Sequence, residues 1–348
     1  MSDFPSQPEQ LTAEWLGQSL GYKVNEFIAE PLGEGVGVIG LVTRVNMKTD
    51  QGIKTIIAKF PAAAAENRAV ADLYSMYERE YLFYTQIAPD VPVHAPACYH
   101  AEFNGDNNDF VLLLEDLQGY RLGDQVLGCD VEEAELIVRA LGAFHRSTWK
   151  PDRFKETGTH NTEAQIQGMT TGFEMGWPVV KAQFPEIVTE DIFHKANIAG
   201  GMHTKVGSLV NSICEPPLCI AHGDLRLDNV FFGENEIALV DFQATCKSAP
   251  EHDLAYFVTQ SLKTDVRNAR DWVAIYHQEL TATGLEYSLD DCRERYRHCA
   301  LYFLCYAVVI CSALDLGNDR GRKMAETLLG NSLESILELD AFDLLETL

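Results

Sequence analysis

Two short segments hold residues suited to chemistry: AHGDLRLDNVFF, starting at Ala221, and IALVDFQ, starting at Ile237. In the first, His222-Gly223-Asp224 is followed by Asn229 five positions after the aspartate, and Asp241 lies twelve beyond the asparagine. Two carboxylates and a carboxamide at this spacing suit phosphoryl transfer, whose loose transition state asks for placed charge rather than covalent chemistry. One carboxylate orients an accepting hydroxyl and takes its proton late. An asparagine oxygen and a second carboxylate hold magnesium against the β- and γ-phosphates. The apolar pieces NVFF and IALV read as a short hairpin that brings Asp224, Asn229 and Asp241 to one metal.

Such a site needs a nucleotide cradle, and the N-terminal third supplies candidates. In LGEGVGVIG, Gly35, Gly37 and Gly40 fit G-x-G-x-x-G, with Gly33 just before them. Glycines let backbone N–H groups approach a phosphate without a Cβ in the way. A dinucleotide-binding turn requires a helix directly after the last glycine. Here a second strand (GLVTRVNM) and a hairpin follow, as in a kinase glycine-rich loop. Lys59 ends the strand TIIAKF one hairpin later, where its ammonium can reach the α- and β-phosphates as a point charge. Judged alone, a lysine in that setting is often only a snorkelling surface residue. The next helix offers Glu78 and Glu80 to hold the lysine, and Glu80, in REYLFY, is preferred.

The periodicity around these residues predicts two lobes. Leu11 to Leu20 reads as a helix with Thr12 as a possible N-cap. Strand patterns follow from Ile28, with a hairpin at Asp50-Gln51-Gly52. Residues 66–88 have helical spacing, with Leu73, Met76, Tyr77, Tyr81, Tyr84 and Ile87 as the inner face. Two more strands are expected near 97–103 and 110–114. Beyond Glu115-Asp116-Leu117 the pattern is helical, apart from a β-rich island between Cys219 and about Gln243. The expected fold class is α+β: residues 1–117 form a nucleotide-binding lobe with an antiparallel sheet and one long helix, and residues 118–348 a mostly helical lobe.

Composition narrows the function classes. Apolar residues make up 46% and charged residues 23%, enough for a sizeable core and against disorder. The formal charge of −25 disfavours nucleic acid and anionic membrane surfaces as partners. It also repels free ATP, so a nucleotide site must carry local cations and bring magnesium. Nine cysteines without a Cys-x-x-Cys pair read as free thiols of a reducing cytoplasm. The most apolar run, Cys299 to Leu314, falls short of a membrane span and reads as a buried helix.

With H-G-D-x-x-x-x-N at 222–229 and Asp241-Phe242-Gln243 later, the chain resembles the aminoglycoside phosphotransferase and choline kinase superfamily. The D-F-Q ending is most similar to its ecdysteroid kinase-like branch. The resemblance spans about residues 12–330 and implies a bilobal protein-kinase-like fold, ATP with Mg2+, and a small-molecule alcohol as acceptor. It implies Asp224 as catalytic base and Asn229 and Asp241 as metal ligands. Lys59 is then the phosphate-binding lysine, Glu80 its partner, and Leu114 to Leu117 the adenine-binding hinge, including Glu115 and Asp116. Asp253, in PEHDLAYF, is implied as a structural brace of the catalytic loop. The acceptor is expected to be chosen by residues 155–215 and the C-terminal helices: a sterol-like alcohol, an amino alcohol or an aminoglycoside-like compound.

Three departures qualify the resemblance. Ala249-Pro250-Glu251 matches the marker that closes a protein-kinase activation loop, but only five residues separate it from Gln243. That is too short to dock a polypeptide, so no protein substrate is expected. Arg226 stands where protein kinases carry a lysine, and a catalytic contact with the γ-phosphate is left open. Gln243 replaces the glycine of D-F-G, which disfavours a flip of that segment. His145 reads as a core histidine, and Trp149 and Trp177 as packing residues or an apolar substrate wall. The alternative from another class is a nucleotide-binding pseudokinase, whose usual sign is loss of a lysine, base or metal ligand that this sequence retains.

Overall fold

A computed structural model describes residues 3–32 and 39–348. The chain divides into two compact units. Unit 1 comprises Met1–Tyr120 with Ala238–Thr245, and unit 2 comprises Arg121–Ile237 with Cys246–Leu348. The segment 238–245 thus sits in unit 1, although the sequence boundary at 117 assigned it to the helical lobe.

In unit 1, α1 (Ala13–Leu20) starts at Thr12, whose side chain accepts the Trp15 N–H, and ends at Gly21 in the left-handed region. The sheet runs β1 (Val24–Leu32), β2 (Gly40–Thr49), β3 (Gly52–Pro61), β4 (Cys98–Asn104) and β5 (Asp109–Glu115). All its pairings are antiparallel, in the order β1-β2-β3-β5-β4. Period-two alternation decides which side chains face the core. Ile56, Ala58 and Phe60 of β3 join Val45, Met47, Val111, Leu113 and Leu16 of α1 in one apolar cluster. Lys59, between Ala58 and Phe60, therefore points to the opposite face. The β2–β3 turn closes on Thr49 Oγ1, which donates to Gly52 O at 2.8 Å and accepts from Gln51 N at 3.0 Å.

The helix expected over 66–88 is broken. It forms as α2 (Ala65–Leu73) and α3 (Met76–Leu82), followed by a π-helical turn at Phe83–Ile87. Ser75 between them is left-handed, with φ of 51°. The break resets the helical phase: Leu73, expected inward, is 60% exposed, whereas Tyr77 is buried. Tyr77 then bridges two strands' ends, its hydroxyl donating to Ile39 O (2.8 Å) and accepting from Ala62 N (2.9 Å).

Unit 2 begins with β6 (Arg121–Leu122) and α4 (Val131–Ser147), whose N-terminus is a capping box between Asp130 and Glu133. The weakly patterned stretch that follows holds α5 (Glu163–Gln183), α6 (Glu190–Lys195) and α7 (Val206–Ser212). The β-rich island resolves into β7 (Cys219–Ala221) and β8 (Val230–Phe232), and β9 (Ile237–Leu239) carries the chain back into unit 1. β10 (Cys246–Ser248) pairs antiparallel with β7, and β6 with β8. The remaining helices are α8 (His252–Tyr256), α9 (Thr264–Arg267), α10 (Trp272–Leu280), α11 (Leu289–Ala313) and α12 (Asp319–Glu338). Among the described residues α11 alone is long and apolar enough to cross a membrane. Its residues Cys299 to Cys305 are all buried inside unit 2. α5 lies close along it, because a Cβ on Gly172 or Gly176 would come within 2.8 Å of Val309 or Ser312. The nine cysteines are unpaired thiols.

Candidate active site

Unit 1 gathers three of the residues singled out by sequence. Lys59 Nζ lies 2.8 Å from Glu80 Oε1, 2.7 Å from Glu80 Oε2 and 2.6 Å from Asp241 Oδ1. Glu80 is 1% exposed and Glu78 faces solvent, which decides between the two. Burial pulls the Lys59 ammonium down, but the two carboxylates outweigh it and hold its pKa above the usual value. Burial pushes the Glu80 carboxyl up, opposed by Lys59 and by a hydrogen bond from the Phe242 N–H. Gly40, the described member of the glycine motif, sits against this lysine: a Cβ there would lie 3.5 Å from Lys59 Cε and 3.1 Å from Phe60 O. Gly33, Gly35 and Gly37 lie outside the described residues.

Asp241 has a left-handed backbone, with φ of 68°, an uncommon conformation for an aspartate that often marks a functional position. The residues around it fix that turn. Leu239 N–H donates to His94 O at 2.9 Å, and Phe242 stacks on Phe83 with ring centroids 3.4 Å apart. Tyr84 meets Phe242 edge-on, and Gln243 Nε2 donates to Asp241 Oδ2 at 3.3 Å.

The expected hinge ends β5. Asp116 accepts both Arg44 Nε (2.8 Å) and Arg44 Nη2 (3.2 Å), Glu115 Oε2 accepts Ala97 N (3.1 Å), and Leu117 is buried. Both carboxylates are thus engaged within unit 1.

Unit 2 builds the 222–229 loop around a buried acid. Asp253 is fully buried and accepts four hydrogen bonds. Its donors are His222 N (2.6 Å), Gly223 N (2.9 Å), His145 Nε2 (3.1 Å) and His252 Nδ1 (3.2 Å). Burial opposes its charge, but the histidine hydrogen bonds prevail and hold its pKa well below the ordinary carboxylate range. His145 is a core residue, as its helical pattern predicts, with Nδ1 at 2.7 Å from Tyr276 Oη.

Within the loop, Asp224 Oδ1 accepts the Tyr256 hydroxyl at 2.9 Å, and Oδ2 accepts Asn229 Nδ2 at 3.2 Å. Asn229 Nδ2 also donates to Asp224 O at 2.8 Å. Arg226 lies 3.7 Å from Asp224 Oδ2 and 3.9 Å from Asp228 Oδ2. Asp224 is the main cause of the raised pKa of Arg226, ahead of the opposing effect of burial.

Asn229 and Asp241 each offer oxygen, the donor type that hard cations such as magnesium prefer. Among the described residues no three His, Cys, Asp or Glu side chains form a ready-made metal site.

Two residues around the loop escaped the sequence analysis. Gln125 is fully buried. Its Oε1 accepts Leu227 N (2.9 Å) and Ser261 Oγ (3.0 Å), its Nε2 donates to Gln260 O (2.9 Å), and its N–H donates to Asp228 Oδ1 (3.0 Å). Nothing in GDQVLG marks that glutamine. Tyr256 does carry a signal, since it follows Asp253 by three positions and so shares its face of α8.

Comparison with known proteins bears on this arrangement. Residues 35–287 match the sequence model of the ecdysteroid kinase-like family. No curated protein sequence matches the chain. An aminoglycoside phosphotransferase candidate from Ralstonia eutropha JMP134 superposes with a TM-score of 0.57 at 15% identity, covering 94% of this chain and 97% of that one. Plasmodium vivax ethanolamine kinase gives 0.53 at 12% identity, covering 88% and 81%. The GDP complex of wild-type aminoglycoside 2'-phosphotransferase-IIIa gives 0.52 at 15% identity, covering 90% and 94%. At these identities the likeness establishes the fold. It is α+β and kinase-like, with an antiparallel sheet in the N-terminal part and a helical C-terminal part.

Proposed function

This chain belongs to the ecdysteroid kinase-like family, and on that premise we propose that it transfers the γ-phosphoryl group of ATP to a hydroxyl of a small molecule. The observation that carries this proposal is Lys59, buried between Glu80 and Asp241. A buried ammonium is costly unless paired, and a surface lysine that merely snorkels has no need of two carboxylates. Held there, Lys59 offers its charge to the α- and β-phosphates, with Glu80 fixing its position. Residues 1–117 act as the nucleotide lobe, with Gly35, Gly37 and Gly40 as the phosphate loop and 114–117 as the base-binding hinge.

Asp224 is the catalytic carboxylate. It orients the accepting hydroxyl in line with the γ-phosphorus and takes its proton as the P–O bond forms. The Asn229 hydrogen bond to its Oδ2 supports this role by holding the carboxylate in one plane. Transfer is direct, with no phosphorylated enzyme intermediate. Arg226 balances the charge of Asp224 and Asp228 in the free protein and is available to a phosphoryl oxygen during transfer. Asn229 and Asp241 are assigned to magnesium, which supplies neutralisation of the β/γ charge when it is bound with nucleotide.

The acceptor is an alcohol of the classes that similar proteins are named for, an amino alcohol or an aminoglycoside, or a sterol-like alcohol. Residues 155–215 and the C-terminal helices select it. The five-residue spacing after Gln243 supports a small acceptor over a polypeptide, and the unpaired thiols support a reducing, cytoplasmic compartment. Incubating the protein with Mg-ATP and a panel of such alcohols tests the proposal through ADP release and the mass gain of one phosphoryl group on the product. Failure of every alcohol despite binding of Mg-ATP would favour a nucleotide-binding protein without transferase activity.

A further inference from the structure

We propose that Tyr256 is a positioning residue for phosphoryl transfer, its phenol locking the rotation of the Asp224 carboxylate toward the acceptor. This rests on the assignment of Asp224 as the base. Each oxygen of that carboxylate has its own donor: Tyr256 Oη at 2.9 Å from Oδ1 and Asn229 Nδ2 at 3.2 Å from Oδ2. Two donors on opposite oxygens stop the carboxylate turning about Cβ–Cγ and fix where its remaining lone pairs point.

The anchor is itself immobile. Tyr256 is 1% exposed, stacks on Phe303 at 4.6 Å and 23°, and meets Tyr306 edge-on at 5.5 Å. Burial, and then the neighbouring Asp224 charge, hold its pKa well above the usual value, so the phenol stays a donor. Its place in the chain adds weight. α8 is a short helix that presents Asp253 and Tyr256 three positions apart. Through Asp253 it fixes the backbone of His222 and Gly223, and through Tyr256 the side chain one residue later. One rigid element thus sets both the path of the loop and the aim of its carboxylate.

A hydrogen bond to the carboxylate also weakens it as a base. That cost is small where proton transfer is late and placement dominates, as in a loose transition state. Tyr256 takes no proton from the acceptor, and its hydrogen bond goes to the Asp224 carboxylate, so its effect passes through Asp224.

Tyr256→Phe keeps both ring contacts and deletes the O–H. ADP release from Mg-ATP, with water as acceptor and with any alcohol phosphorylated, is measured for wild type, Tyr256→Phe, Asp224→Asn and the double variant. Thermal midpoints are recorded alongside to establish folding. The expected result is a kcat lower by roughly 10- to 100-fold in Tyr256→Phe, with an unchanged KM for the nucleotide. The double variant should be no slower than Asp224→Asn alone, because a residue acting only through another has nothing left to position. Wild-type kcat in Tyr256→Phe overturns the inference, and so does a loss that multiplies with that of Asp224→Asn. Should Asp224→Asn itself turn over like wild type, the proposed function fails first and the inference with it. If Tyr256→Phe alone does not fold, a double variant slower than a folded Asp224→Asn still overturns the inference.

Discussion

The Lys59 ammonium lies 2.6 Å from Asp241 Oδ1, across 182 positions of sequence. That single contact ties β3 to the segment 238–245 inside unit 1, and Glu80 completes the pairing from α3. Lys59→Ala leaves the Glu80 carboxylate buried without its cation. Breaking such a pair costs about 3–5 kcal/mol, and Glu80→Gln in the same chain should restore part of it. Urea unfolding of the single and double variants measures both effects; a double variant no more stable than Lys59→Ala would contradict the pairing. Lys59→Arg should not restore turnover, because the planar guanidinium cannot replace a compact charge held by two carboxylates.

Asp253 predicts an acid limb in the stability curve. Its folded pKa lies below that of the unfolded chain, so protons bind the unfolded state first as the pH falls. The stability it contributes is complete at neutral pH, fades below about pH 5, and is lost as the pH passes down through the folded value. Asp253→Asn should lower stability at pH 7 by about 3 kcal/mol and lose less than wild type on acidification to pH 4. An unchanged acid limb in the variant would count against Asp253 as its source.

Much of this arrangement was legible in the sequence, for identifiable reasons. β-rich runs and turn signals marked the sheet of unit 1, with FVLLL as a continuous apolar run. Chain order after the glycines marked the pairing of Lys59 with Glu80, whereas its contact with Asp241 was not foreseen. Glu80 was preferred over Glu78 for its place in REYLFY, and Glu80 is the one that is buried against Lys59. The break at Ser75 was not legible. LYSMYERE contains no glycine or proline, yet Ser75 is left-handed two residues before Tyr77 docks to Ile39 and Ala62. Gln125 was missed for a related reason: a buried glutamine that satisfies distant backbone groups leaves no periodic trace.

Gln125 holds the far side of the 222–229 loop, by way of Leu227 and Asp228. Gln125→Ala removes the acceptor shared by Leu227 N and Ser261 Oγ, leaving both buried donors unpaired, and should cost about 2 kcal/mol. Gln260 O keeps its bond from Asn331 Nδ2. Turnover should fall while affinity for nucleotide stays near wild type, since the loop carries Asp224. Thermal unfolding and a KM-against-kcat comparison check this; a variant with wild-type stability and kcat would remove Gln125 from the loop's support.

Metal withdrawal gives a separate test. With only oxygen ligands assigned and no ready-made metal site among the described residues, magnesium is expected to bind chiefly with the nucleotide. A chelator should abolish turnover and most of the thermal shift given by ATP, yet leave the midpoint of the nucleotide-free protein unchanged. A large fall in that midpoint would point to a structural metal instead.

The most direct measurement concerns Asp224. Wild type and Asp224→Ala are compared for stabilisation by Mg-ATP and for ADP formation with the alcohol panel. A catalytic carboxylate predicts that Asp224→Ala keeps the Mg-ATP shift and loses turnover by about 10²- to 10⁴-fold. Turnover equal to wild type in a folded Asp224→Ala protein would contradict the assignment.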